Sequence, residues 1–149
     1  MDKILVPVDG SPTSEHAAEK AIEVAKKYNS KLTFLIVTKK PDVFGRGNSS
    51  AGTVFGSEEY SNELKEEQEE TMKDFLEEMN LEGLEYDIRV LVGEPYEEII
   101  EMSEKENYDL IVMGRRGFSK ITRFFLGSVS QRVLSGAHCP VLIIPEKKE

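Results

Sequence analysis

The chain has 149 residues, 39% of them hydrophobic, and 28 acidic side chains against 19 basic ones give a net charge of -9. That length predicts one domain with one core, and the negative balance excludes nucleic acid and anionic membrane as main partners, since both need a positive surface. No apolar run approaches the ~20 residues of a membrane span, the start Met1-Asp2-Lys3-Ile4 lacks signal-peptide character, and the single cysteine, Cys139, excludes an internal disulfide framework; a cytoplasmic, reducing location is the expectation.

In chain order, Ile4 to Val8 is an apolar run that reads as a buried strand, followed by Ser11 as an N-cap and Pro12 in the first turn of a helix. The helix repeats apolar residues at three- and four-residue spacing from Ala17 to Tyr28 and stops at Asn29. Leu32 to Val37 is a second strand, apolar apart from Thr33, as parallel strands covered on both faces tend to be. Residues 39 to 57 hold four glycines and several serines and read as a long loop, either a lid or a plain connection. Ser57 then caps an amphipathic helix with Tyr60, Leu64, Met72, Phe75, Leu76 and Met79 on its inner face.

Alternation from Tyr86 to Val92 predicts a strand with one wetter face, at a sheet edge. Gly93-Glu94-Pro95 opens a helix that buries Tyr96, Ile99 and Ile100, and Leu110 to Met113 forms the next strand. A helix from about Ser128 to Leu134 and a last strand, Val141 to Ile144, complete the pattern, with Glu146 to Glu149 as a frayed tail. Five strands alternating with four helices predict an α/β fold, a doubly wound parallel sheet with helices on both faces, because parallel strands need right-handed helical crossovers. In the order 3-2-1-4-5 the winding reverses between strands one and four, and ligands of such sheets bind beyond the carboxyl ends of the strands at that reversal.

The charge distribution points to the same place. Between Glu58 and Glu82 there are eleven acidic residues against Lys65 and Lys73, yet from Leu110 to Pro145 there is no Asp or Glu while Arg115, Arg116, Lys120, Arg123 and Arg132 all occur. In this window Gly114, two residues, Gly117, nine residues, Gly127 and Ser128 follow directly on a strand. Such spacing suits either a backbone cradle for phosphate or a flexible basic loop. Convergence with Asp9-Gly10-Ser11 at the same crevice favours the cradle, although Asp9 alone also suits a turn or cap.

With these motifs the chain resembles the nucleotide-binding type of the universal stress protein family, whose GxxG, nine residues, G, Ser/Thr pattern is matched by Gly114, Gly117, Gly127 and Ser128. Ile4-Leu5-Val6-Pro7-Val8-Asp9-Gly10-Ser11 and Cys139-Pro140-Val141-Leu142-Ile143-Ile144-Pro145 extend the likeness over nearly the whole chain. The resemblance implies a Rossmann-like fold, ATP as ligand, with Mg2+, and a homodimer paired through Val141 to Ile144. It implies Pro7, Val8 and Asp9 against the adenosine, with Asp9 accepting from ribose or adenine. Val37 would offer backbone contacts to adenine and Met113 would pack on base or ribose. Amides from Gly114 to Gly117 and from Gly127 through Ser128 to Val129 would hold phosphates, assisted by Arg116 and, by charge alone, Arg115.

Neither a P-loop nor a GxGxxG fingerprint is present, and Asp9 to Ser14 departs from the SGGxDS and HIGH signatures of related adenine-nucleotide folds. His16 reads as a helix-surface residue, His138 lies at the opposite end, and Cys139 reads as a small core hydrophobe, so no catalytic base is assigned. The function expected is a nucleotide-dependent stress-response module with at most slow hydrolysis. The alternatives are an ATP-dependent enzyme and a nucleotide-free interaction protein. The short apolar last strand, as an edge, also predicts self-association.

Overall fold

Alternation along the central strands decides which helices cover which face. The structure, a computed structural model, describes residues 1–39, 50–117 and 126–148, with side chains from residue 62 onward in the second helix. The elements are β1 (Lys3–Pro7), α1 (Pro12–Tyr28), β2 (Lys31–Thr38), α2 (Ser50–Glu77), β3 (Tyr86–Val92), α3 (Pro95–Lys105), β4 (Leu110–Gly114), α4 (Ser128–Gly136) and β5 (Val141–Ile144). They form one sheet of order β3-β2-β1-β4-β5, parallel at every pairing.

On one face Ile4, Val6, Leu32, Phe34, Leu110 and Val112 pack with the alanine stripe of α1 and with Met72 and Leu76 of α2. On the other face Leu5, Leu35, Ile111 and Met113 meet Ile99 and Met102 of α3 and Val133 of α4. Both faces are apolar, which is why these strands read as continuous hydrophobic runs. Ala17, Ala18, Ala21 and Ala25 are fully buried, and such small side chains bring α1 close to the sheet without leaving a void.

Local signals place the ends of the elements. The Ser11 hydroxyl accepts from the Ser14 N–H at 3.2 Å, Pro12 opens α1, and Asn29 closes it in the left-handed region at φ 54°. β1 ends at Pro7, one residue before the expected Val8, and proline here removes no ladder donor from the middle of the sheet. Val8 still donates to the Leu35 carbonyl at 2.9 Å. At the amino end, the Asp109 carboxylate accepts from the Asp2 and Lys3 N–H groups at 2.8 and 3.0 Å, pinning β1 to the entry of β4.

Two expectations change. The second helix begins at Ser50, so Ser57 lies inside it and is not its cap; residues 40 to 49 of the expected loop lie outside the described residues. Once a helix exists, each added residue gains a hydrogen bond, and this outweighs the roughly 1 kcal/mol handicap of each of Gly52 and Gly56. The tail is also anchored where fraying was expected. The His16 ring shares a 2.7 Å hydrogen bond with the Pro145 carbonyl, Lys147 pairs with Glu19 at 2.8 Å, and Glu146 pairs with Arg115 and Arg116. His16 is therefore half-buried under the tail and not a free helix-surface residue.

Candidate functional site

α1 leaves β1 on one face of the sheet and α4 leaves β4 on the other, so a crevice opens between the two strands at their carboxyl ends. It holds a cavity of about 390 Å³, inside the range of roughly 300–1,000 Å³ common for small-molecule sites. Eleven of the residues singled out from the sequence line it, Pro7, Val8, Asp9, Val37, Met113, Gly114, Arg116, Gly117, Gly127, Ser128 and Val129, whereas Arg115 is not among the lining residues. Lys120 and Arg123 of the basic window lie outside the described residues.

The glycines serve close approach and not, as their type first suggests, positive φ. None of the three has φ in the left-handed region. A Cβ on Gly114 would sit 2.8 Å from Thr13 Cγ2 and 3.2 Å from the Thr13 carbonyl carbon, so this glycine lets α1 press on β4. One on Gly117 would strike the Asp9 carboxylate. One on Gly127 would lie 3.1 Å from Arg116 Cα, where the Gly127 N–H donates to the Arg115 carbonyl at 2.9 Å. The two ends of the glycine motif are thus packed directly on one another.

This contact fixes the start of α4 beside Arg116. The first hydrogen bond within the helix runs from Gln131 N–H to the Gly127 carbonyl, and Gly127 supplies no side-chain cap. The amides of Ser128, Val129 and Ser130 therefore have no partner within the helix, and the helix dipole adds positive potential at the same spot. Ser130 secures the turn by donating its hydroxyl to the Gly114 carbonyl at 2.8 Å. Across the cavity, Asp9 Oδ1 accepts from the Ser11 N–H at 2.9 Å, an Asx turn that fixes the carboxylate at the mouth of β1.

Val37 contributes backbone. The Leu35 carbonyl faces β1, accepting from Val8, while the Thr38 carbonyl faces the β3 side, accepting from Gly93 at 2.9 Å. Successive residues of a strand alternate sides, so the Val37 N–H and C=O face the β1 side, beyond the point where β1 has ended. Ser14, Leu35, Pro95, Ile99 and Ser130 also line the cavity and were not foreseen. The Ser128-Val129-Ser130 repeat at a helix start was a usable signal for Ser130; the others become neighbours only through tertiary packing.

Charge completes the picture. The Glu146 carboxylate bridges Arg115 and Arg116. Desolvation pushes this carboxyl up, but its own backbone N–H and the two guanidinium charges together hold it below the usual glutamate value. Glu146 was missed as a site residue; its signal was to be the first acid after the acid-free window from Leu110 to Pro145. Among the described residues that line the cavity, Asp9 is the one carboxylate and Arg116 the one strong cation.

Fold and site together define a doubly wound α/β protein with an anion-receptive crevice at its topological switch point. The chain belongs to the Universal stress protein family, whose model matches residues 1–145. It is 37% identical over 148 residues to Universal stress protein MJ0531 of Methanocaldococcus jannaschii, covering 99% of this chain and 84% of that protein. Among solved structures, MJ0577 superposes with a TM-score of 0.78 at 28% identity, covering 99% of this chain and 98% of that one. A universal stress protein from Archaeoglobus fulgidus solved in complex with dAMP superposes with a TM-score of 0.61 at 25% identity, covering 97% and 98%. A further structure, of a universal stress protein in complex with cAMP, superposes with a TM-score of 0.62 at 25% identity, covering 98% of each chain.

Proposed function

We propose that this chain is an ATP-binding module of the universal stress type, a single unit that signals through its nucleotide state and not through rapid chemistry. The observation that carries the reading is the start of α4, whose first three amides have no partner within the helix and lie beside Arg116 in one cavity. Phosphates would rest on those amides and on Arg116, the Asp9 carboxylate would accept from ribose or adenine, and the Val37 backbone would meet the base edge. Met113, Pro7 and Val8 supply apolar walls. The relatives solved with dAMP and cAMP support adenine as the base.

Mg2+ would arrive on the phosphates, with the Ser128 hydroxyl as the side chain offered to it. Rapid hydrolysis needs a group that orients water and manages its proton. Asp9, the one lining carboxylate among the described residues, already accepts from Ser11 and faces Gly117. At most slow turnover is the activity expected.

We further propose a homodimer through β5, in the cytoplasm. Leu142, 39% exposed on this edge strand, is the apolar side chain a second copy would cover. No described helix is long and apolar enough to cross a membrane. Mass spectrometry of small molecules released from freshly purified, denatured protein tests the ligand: stoichiometric adenine nucleotide is the expected result, and none, with no uptake of added ATP, refutes it. Light scattering tests the dimer, with twice 16.8 kDa expected and a Leu142→Lys variant falling to 16.8 kDa.

A further inference from the structure

The tail lies on a cation that also lines the cavity. Arg116 lines the cavity, and its guanidinium is paired with Glu146, a residue that follows β5 and belongs to no part of the glycine motif. Arg115, whose N–H donates to the Ile144 carbonyl at 2.8 Å, pairs with the same carboxylate. Both guanidinium groups are mostly buried, with side chains 23% and 10% exposed, while Glu146 is 31% exposed. Arg115 Nε and Glu146 Oε1 are both buried without a hydrogen-bond partner among the described residues, so the cluster is held by charge more than by hydrogen bonds.

The carboxylate is held by neighbours on either side of it in the chain. Pro145 accepts from His16, which requires the Nδ1–H tautomer, and Lys147 reaches Glu19; both partners are on α1. These contacts are exposed or half-exposed, and such pairs are individually weak. These flanking contacts therefore place the tail while adding little to hold it there, and Glu146 is its main attachment.

Resting on the nucleotide reading above, we infer that Glu146 is an internal counter-anion for the phosphate site, occupying the positive charge of Arg115 and Arg116 until a phosphate takes it. Binding at the Arg116 end exchanges one anion for another, and the tail from Pro145 to Lys148 is released or displaced as phosphate enters. Nucleotide state is then reported at the C-terminal tail, beside β5. A phosphate on Arg116 and a carboxylate on the same group stand within a few ångströms of each other, where like charges repel strongly because water screens them little. Glu146 thus lowers affinity for highly charged ligands and leaves uncharged ones unaffected.

Titration calorimetry on stripped full-length protein and on Glu146→Gln, with ATP, adenosine and tripolyphosphate, tests this. Removing the charge while keeping the shape is expected to tighten ATP and tripolyphosphate by about tenfold and to leave adenosine unchanged; Glu146→Ala serves as a second variant with the same expectation. Unchanged or weaker tripolyphosphate binding in both variants overturns the inference, because Glu146 would then be inert or would position Arg116. Tripolyphosphate tightening without any response to ATP or adenosine supports the anion exchange and instead refutes the nucleotide reading. In the wild type, amide exchange at residues 146 to 148 is expected to speed up on saturation with ATP, and slower exchange there contradicts the release of the tail.

Discussion

Gly114→Ala separates packing from ligand binding within the glycine motif. The added Cβ would lie 2.8 Å from Thr13 Cγ2, 3.2 Å from the Thr13 carbonyl carbon and 3.3 Å from Thr13 Cβ, all under ordinary contact distance. Gly114 ends a fully buried strand and Thr13 is 3% exposed in the first turn of α1, so neither side yields without moving α1 off the sheet. Overpacking of this kind costs about 1–3 kcal/mol. With an unfolding entropy of roughly 2.1 cal/mol/K per residue, 149 residues give about 0.3 kcal/mol/K, so 2 kcal/mol lowers Tm by about 6 °C. Thr13→Ala removes the methyl at 2.8 Å but leaves the backbone contact, so the double variant is expected to recover about half of the loss. Thermal melts followed by circular dichroism of the wild type, both single variants and the double variant measure the coupling. A Gly114→Ala protein as stable as wild type, or strict additivity with Thr13→Ala, refutes the packing argument.

Other changes have distinct signatures. Asp9→Ala removes the acceptor for the Ser11 N–H and the carboxylate facing the cavity; stability is expected to fall by about 1 kcal/mol, with adenosine affinity reduced by roughly tenfold or more, as read by urea denaturation and calorimetry. The Lys3 and Asp2 backbone N–H groups hold the Asp109 carboxyl below the usual aspartate value against a smaller opposing effect of burial. Its stabilising effect is then present above its unfolded-state pKa and is lost as pH falls through the lower folded value. The carboxylate is exposed, so Asp109→Asn is expected to cost no more than about 1 kcal/mol near pH 7, a difference that shrinks as pH falls through the lowered folded-state value, as paired urea melts from neutral to progressively more acidic pH would register. Burial pushes the Cys139 thiol up, so its reaction with an aromatic disulfide reagent at neutral pH is expected to be far slower than after unfolding; equal rates would contradict that placement.

The strand order was readable because each central strand is apolar on both faces and each helix carries one apolar stripe, a pattern that leaves few topologies open. The crevice followed from the order, since Asp9 and Gly114 must emerge side by side when β1 and β4 are neighbours. What stayed hidden depended on distances between residues far apart in the chain. Gly114 and Gly117 look alike in sequence, yet one faces Thr13 and the other Asp9. The start of α2 was obscured because Gly52 and Gly56 weaken a local helical signal without preventing propagation from the residues that follow. Glu146 read as solvent-facing because charge at a chain end usually is, and only the fold brings it to Arg115 and Arg116.

Backbone amide spectra recorded during titration with ATP and Mg2+ address the central proposition most directly. The largest shifts are expected at Val37, Gly117, Gly127, Ser128 and Val129, around the carboxyl ends of β1 and β4. Saturable shifts confined to the opposite end, near Tyr108 and His138, or no shifts at millimolar ATP, would contradict it.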